Sequence, residues 1–335
     1  MELASNGEIS QDWHKYEKCP EGTVPIRRST SSITRKHPSL LRRHFNSSLV
    51  QSPKGIHEYA LVRSKDNQYY GATATLSVWK PKVEVNELSL AQLWISSGYG
   101  VNLNTIEVGW MRDYYTTTGC YDIDCPGFVQ TNFNIQLGHP IPISTVGGPT
   151  CAIRIMVYKD GKNGNWWLDY NGVDIGYFPK NLFTSLSEYA QRVDFGGEIV
   201  NKENEGHHTT TQMGNGLYPH ETGASFITGI KLYGRDRKPV KGNILQPIRR
   251  LYFQSVRGKN EGRNNNVYLS STGGGGNELA AAAKKEPGEA NSGDEGSRPR
   301  PADCGSRRGK KKGRENLPDD QILLPAADDR KKYAG

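Results

Sequence analysis

Two glutamates are the residues whose setting could do chemistry. In NTIEVGWM (104–111), a period of two puts Ile106, Val108 and Trp110 on one face of a strand and Glu107 and Gly109 on the other. In RVDFGGEIVN (192–201), Val193, Phe195 and Ile199 share a face while Asp194, Gly196 and Glu198 take the reverse one. Each strand offers an apolar face to a core and a carboxylate behind it, with a glycine two residues away. A glycine there removes a side chain and lets another group approach. Brought together, the two strands would make a shallow groove holding two carboxylates. Such a pair can divide acid and base duties, one activating a water and the other donating to a leaving group. Most glutamates on strands are simply solvated, and the spacing alone does not make these strands neighbours, so both readings stay open.

Other reactive side chains are less telling. His207 and His208 invite a metal or general-base role, but adjacent strand residues point to opposite faces and do not easily share one ion. Among Cys19, Cys120, Cys125, Cys151 and Cys304, no second cysteine or histidine pair has the spacing of a zinc site. Cys151, inside an apolar strand, reads as a buried small hydrophobe. Trp166 and Trp167 also point opposite ways, one to a core and the other, Trp167, towards a groove where it could stack on a proline ring. Core packing is the alternative for both. The lack of a glycine-rich phosphate loop before a helix argues against a nucleotide site.

The elements that must position these residues are short strands punctuated by Gly, Pro, Asn and Asp. YYGATATLSVWKP, TCAIRIMVYKD, GNWWLDYNG and VDIGYFP alternate or run apolar between turn signals. That spacing predicts an all-β sandwich or barrel with antiparallel strands. One short helix is predicted from Pro179 to about Val193, where Leu182, Phe183, Leu186, Tyr189 and Ala190 recur at helical spacing after a proline suited to the first turn.

The charge narrows the partners. The 335 residues carry a net charge of +8, a first hint of nucleic-acid binding. Residues 22–57 hold seven basic residues and no acids, and residues 231–263 hold ten against Asp236 and Glu261. The middle, 58–230, has 17 acids and 11 bases, a net of −6. The basic excess therefore belongs to two flanks, and no nucleic-acid partner is expected. No apolar run approaches the ~20 residues of a membrane helix. The opening is polar and does not read as a signal peptide. From Gly273 onward the chain has one aromatic, Tyr333, and 24 charged residues, so residues 273–335 are predicted to be a disordered charged tail.

At this point the chain becomes recognisable. It resembles the plant neprosin family of glutamic peptidases through WHKYEKCPEGTVPIRR, VEVNELSLAQLWISSG, NTIEVGWM, TGCYDIDCPGFVQTN, GNWWLDY, GGEIV, GHHTTTQMGNG and GASF, all in family order from about Gln11 to Tyr233. The resemblance implies a sandwich of two antiparallel sheets with a concave cleft. It also implies acid-pH endopeptidase activity after proline, secretion, and water attack assisted by two glutamates without metal or cofactor. Glu107 and Glu198 stand in the family's catalytic motifs. Gly109, Gly196, His207 and Trp167 would shape the cleft. The family further suggests a disulfide between Cys120 and Cys125, with two free thiols as the alternative. The expected organisation is an activation-segment remnant with a basic linker (1–54), the sandwich (55–235), a basic extension (236–272) and the tail. Relatives have a longer stretch where Arg112–Thr118 join two motifs here, and an N-terminally incomplete chain is expected. The rival reading is an inactive sandwich that binds extended peptide or polysaccharide.

Overall fold

The computed structural model describes residues 9–16, 18–26, 56–85, 87–112, 127–202 and 208–241, and the backbone of 245–250, 267–268 and 322–328. Among these described residues, thirteen strands form two antiparallel sheets. The strands that carry the site are β1 (Ile56–Ser64), β3 (Leu88–Ser97), β4 (Asn104–Arg112) and β9 (Arg192–Asn201). They form the middle of a six-stranded sheet ordered β11-β1-β9-β3-β4-β13, with β11 at Leu245–Arg250 and β13 at Ile322–Asp328. The facing seven-stranded sheet runs β12-β10-β2-β6-β7-β8-β5. Its members are β2 (Gly71–Ser77), β5 (Val129–Gln130), β6 (Ala152–Lys159), β7 (Trp166–Tyr170), β8 (Val173–Phe178), β10 (Phe226–Tyr233) and β12 (Val267–Tyr268).

The core between the sheets follows from alternation. Ala91, Leu93 and Ile95 of β3, Ile106, Val108 and Trp110 of β4, and Val193, Phe195 and Ile199 of β9 all enter it from one sheet. Leu76 of β2, Ile153, Ile155 and Val157 of β6, and Trp166 and Leu168 of β7 meet them from the other. Burying each of the Val, Leu, Ile and Phe side chains among them contributes about 1.5–3 kcal/mol. Turn chemistry is local: Asn171 and Gly172, with φ of 51° and 93°, join β7 to β8 in the left-handed conformation that an Asn-Gly hairpin takes up readily.

The structure corrects the helix expected over 179–193. The segment holds two 3-10 turns, Lys180–Leu182 and Ser185–Ser187, and its end joins β9. Tertiary contacts and short polar side chains explain the change. Asn104 Oδ1 accepts hydrogen bonds from the Leu186 amide and the Thr184 hydroxyl, and the Trp166 indole donates to the Leu186 carbonyl. Serine and threonine also favour such local turns over helix interiors. Within residues 273–335, the segment Ile322–Asp328 forms β13. It is the apolar run ILLPAAD. Cys151 is half of a disulfide rather than a buried thiol. Cys19 is free, so the partner of Cys151 lies outside the described residues, as do Cys120 and Cys125. Among the described residues no helix is long and apolar enough to cross a membrane.

Candidate active site

The six-stranded sheet turns its second face away from the core, and the two glutamates emerge there. Strand pairing sets out three rows across it. Arg63, Asp194, Trp94 and Glu107 make the first, Leu61, Gly196, Gln92 and Gly109 the second, and Tyr59, Glu198, Leu90 and Met111 the third. β3 is the shared partner: β4 and β9 both pair with it and not with each other. Glu107 and Glu198 therefore flank β3 on opposite sides, offset by four residues along it. Strand rise and spacing place their Cα atoms roughly 16 Å apart. The printed contacts of the two carboxylates lie on the outer sides of this gap: Glu198 bonds to residues of β1, and Glu107 to Thr105, further along β4 from the Glu198 row.

The second row is the floor of that space. Gly196 and Gly109 lie on either side of Gln92. A Cβ on Gly109 would come 2.8 Å from Gln92 Cγ, so the glutamine side chain lies over the glycine. A Cβ on Gly196 would meet Leu61 Cβ at 2.5 Å. The neighbouring Gly197 faces the core, where Met213 Sδ would be 2.7 Å from its Cβ. The two consecutive glycines thus clear opposite faces of one strand.

Each carboxylate has its own surroundings. Glu198 Oε1 accepts from the Tyr59 hydroxyl at 2.9 Å and lies 2.6 Å from His57 Nδ1. Glu107 Oε1 accepts from the Thr105 hydroxyl at 3.3 Å. Asp194, in the row of Glu107, is held by Arg63 through two hydrogen bonds of 2.8 Å each. Bidentate pairing of this kind fixes a side chain in orientation. Leu88, Leu90, Trp94, Met111 and Val200 make a second apolar cluster on this face. Glu107 is 6% exposed and Glu198 2%, so the pair is screened from solvent.

A second polar cluster ties the segment after β9 to the sheet. Glu58, on the core side of β1, accepts from Asn201 Nδ2 and lies 3.3 Å from His208 Nε2. Glu87 accepts from the Lys202 amide at 2.8 Å and from the hydroxyls of Thr209 and Thr211. Burial pulls the His208 pKa down, but the Glu58 hydrogen bond, the Thr209 carbonyl and the charges of Glu58 and Glu87 outweigh it and leave the pKa raised.

Of the residues singled out from sequence, Glu107, Glu198, Gly109 and Gly196 share one face. His207 lies outside the described residues. Trp167 is not brought to this face: it stands on β7 of the opposite sheet, on the side away from the core, against Tyr177 at 4.9 Å. Its neighbour Trp166 took the core position, so alternation sent Trp167 outward. Sequence reasoning missed Gln92, Trp94, His57 and Tyr59. A polar residue at the centre of the apolar run LSLAQLWI was the available signal for Gln92.

A family model described as Neprosin matches residues 85–269. Among solved structures, a scytalido-glutamic peptidase with a peptide-based transition-state analogue aligns at 11% identity over 65% of this chain and 99% of that one, with a TM-score of 0.32. SCP-B, a member of the Eqolisin family of peptidases in complex with the tripeptide Ala-Ile-His, aligns at 12% identity over 65% and 99%, with a TM-score of 0.31.

Proposed function

The chain belongs to the neprosin family, and from that membership we propose that it is a glutamic endopeptidase using Glu107 and Glu198. The observation that supports this reading is the placement of both carboxylates on one sheet face, on either side of the row that holds Gly196, Gln92 and Gly109. Glu198 takes the role of base: its Oε1 accepts from Tyr59 and lies against His57, contacts that favour the carboxylate form a base needs. Glu107 takes the role of acid, protonating the leaving amine. Neither step needs a covalent intermediate. The substrate is a peptide, cleaved after proline at acid pH, and secretion fits such an activity. Because the pair is buried, peptide entry requires this face to be uncovered.

The test is cleavage of a proline-containing peptide at acid pH by the full chain and by Glu107→Gln and Glu198→Gln. Each variant should lose ~10²–10⁴-fold in kcat, the scale of positioned acid–base catalysis. Equal turnover by all three proteins would refute the assignment. Binding without cleavage in the wild type would favour the inactive, peptide-binding reading.

A further inference from the structure

The middle of β3 carries two buried polar atoms that no described residue pairs. Gln92 is 2% exposed and Trp94 4%. Among the described residues, Gln92 Oε1 and Trp94 Nε1 have no hydrogen-bond partner. Folding pairs buried polar atoms almost without exception, because an unpaired one forfeits its hydration without return. These two stand together, on the same strand face, between the two glutamates and beside the cleared Gly109 and Gly196.

Their chemistry is complementary. An indole N–H only donates, and a glutamine carbonyl oxygen only accepts. Their residues are two apart on β3, a separation of roughly 7 Å. That is also the period at which an extended peptide presents main-chain groups to one side. We propose that Gln92 and Trp94 read the main chain of the substrate: Trp94 donates to a peptide carbonyl oxygen and Gln92 accepts from a peptide N–H. The peptide then lies along β3, with Glu107 on one flank and Glu198 on the other. The contacts use no side chain of the substrate, so they position any sequence and leave the choice of residue to the rest of the face. The inference rests on the peptidase reading for its ligand class.

Gln92→Met and Trp94→Phe remove the polar atom and keep the bulk. Each should lower kcat/KM about tenfold, the worth of one neutral hydrogen bond, with most of the change in KM. Neither should lower Tm, because no protein partner is lost; a purely structural role would lower it. Substrates in which one amide at a time is replaced by an ester supply the sharper measurement. One ester should bind more weakly to the wild type but carry no further penalty in Gln92→Met. Binding is followed separately from turnover through the indole ¹H–¹⁵N resonance of Trp94, identified by its loss in Trp94→Phe, during titration with a proline-containing hexapeptide. A saturable shift without cleavage would support the reader while removing the peptidase reading. A resonance that stays fixed while peptide is bound or cut would overturn the reader alone, as would unchanged kcat/KM in both variants or a Tm loss in both. No binding and no cleavage would overturn both.

Discussion

At the residue scale, the chemistry of this chain depends on what surrounds each ionisable group. Glu107 and Glu198 have the same functional group, yet one leans on a threonine hydroxyl and the other on a tyrosine and a histidine. The His208–Glu58 pair shows the same dependence with a measurable sign. Its folded-state pKa is raised above the ordinary 6.5, so the charged imidazolium is stabilised by folding. That contribution is fully present below pH 6.5 and is lost as pH rises through the raised folded value. The difference in Tm between the wild type and His208→Gln should therefore be largest at acid pH and shrink above neutrality. Thermal melts across that range check it, and a difference that grew with pH would contradict the assignment. Sequence alone located this histidine but not its partner, because Glu58 lies 150 residues earlier.

At the element scale, alternation made the strands legible and left their pairing hidden. The inward and outward faces of β4 and β9 follow from NTIEVGWM and RVDFGGEIV without a structure. That β3 lies between them does not, since a strand carries no label for its neighbour. The missed helix is the converse case: Leu182, Phe183 and Leu186 keep a helical period, but Asn104 and Trp166 pull the segment into turns. β13 is the element whose contribution can be measured most directly. It pairs with β4 from Thr105 to Met111, Ala326 opposite Glu107, and so covers an edge that would otherwise be bare. A chain ending at residue 320 should melt at lower temperature and associate with concentration, as exposed edges do. Light scattering and melting curves identical to the full chain would show that β4 does not depend on β13.

At the scale of the whole molecule, the net charge of +8 misdescribes the folded part, which is acidic over 58–230. The N-terminal piece read as an activation-segment remnant is joined to the sandwich rather than merely attached. Ile9 enters the core, and Gln11 bonds the backbone of Gln136 at both its carbonyl and its amide. Gln11→Ala should cost about 1–3 kcal/mol of stability by stranding those two groups. It should also speed proteolysis between residues 16 and 26; cleavage at the wild-type rate would mean the segment is held by other contacts. The placement of β3 has a consequence for the history of each molecule. The two glutamates are separated by 91 positions in the chain and sit on strands that never touch, so only a correctly seated third strand makes them a pair. A slip of β3 by one position would turn Gln92 and Trp94 inward and Ala91 and Leu93 outward. A nascent or misfolded copy therefore carries no assembled glutamate pair, so on the proposed peptidase reading a chain able to hydrolyse its neighbours would become dangerous only once it is finished.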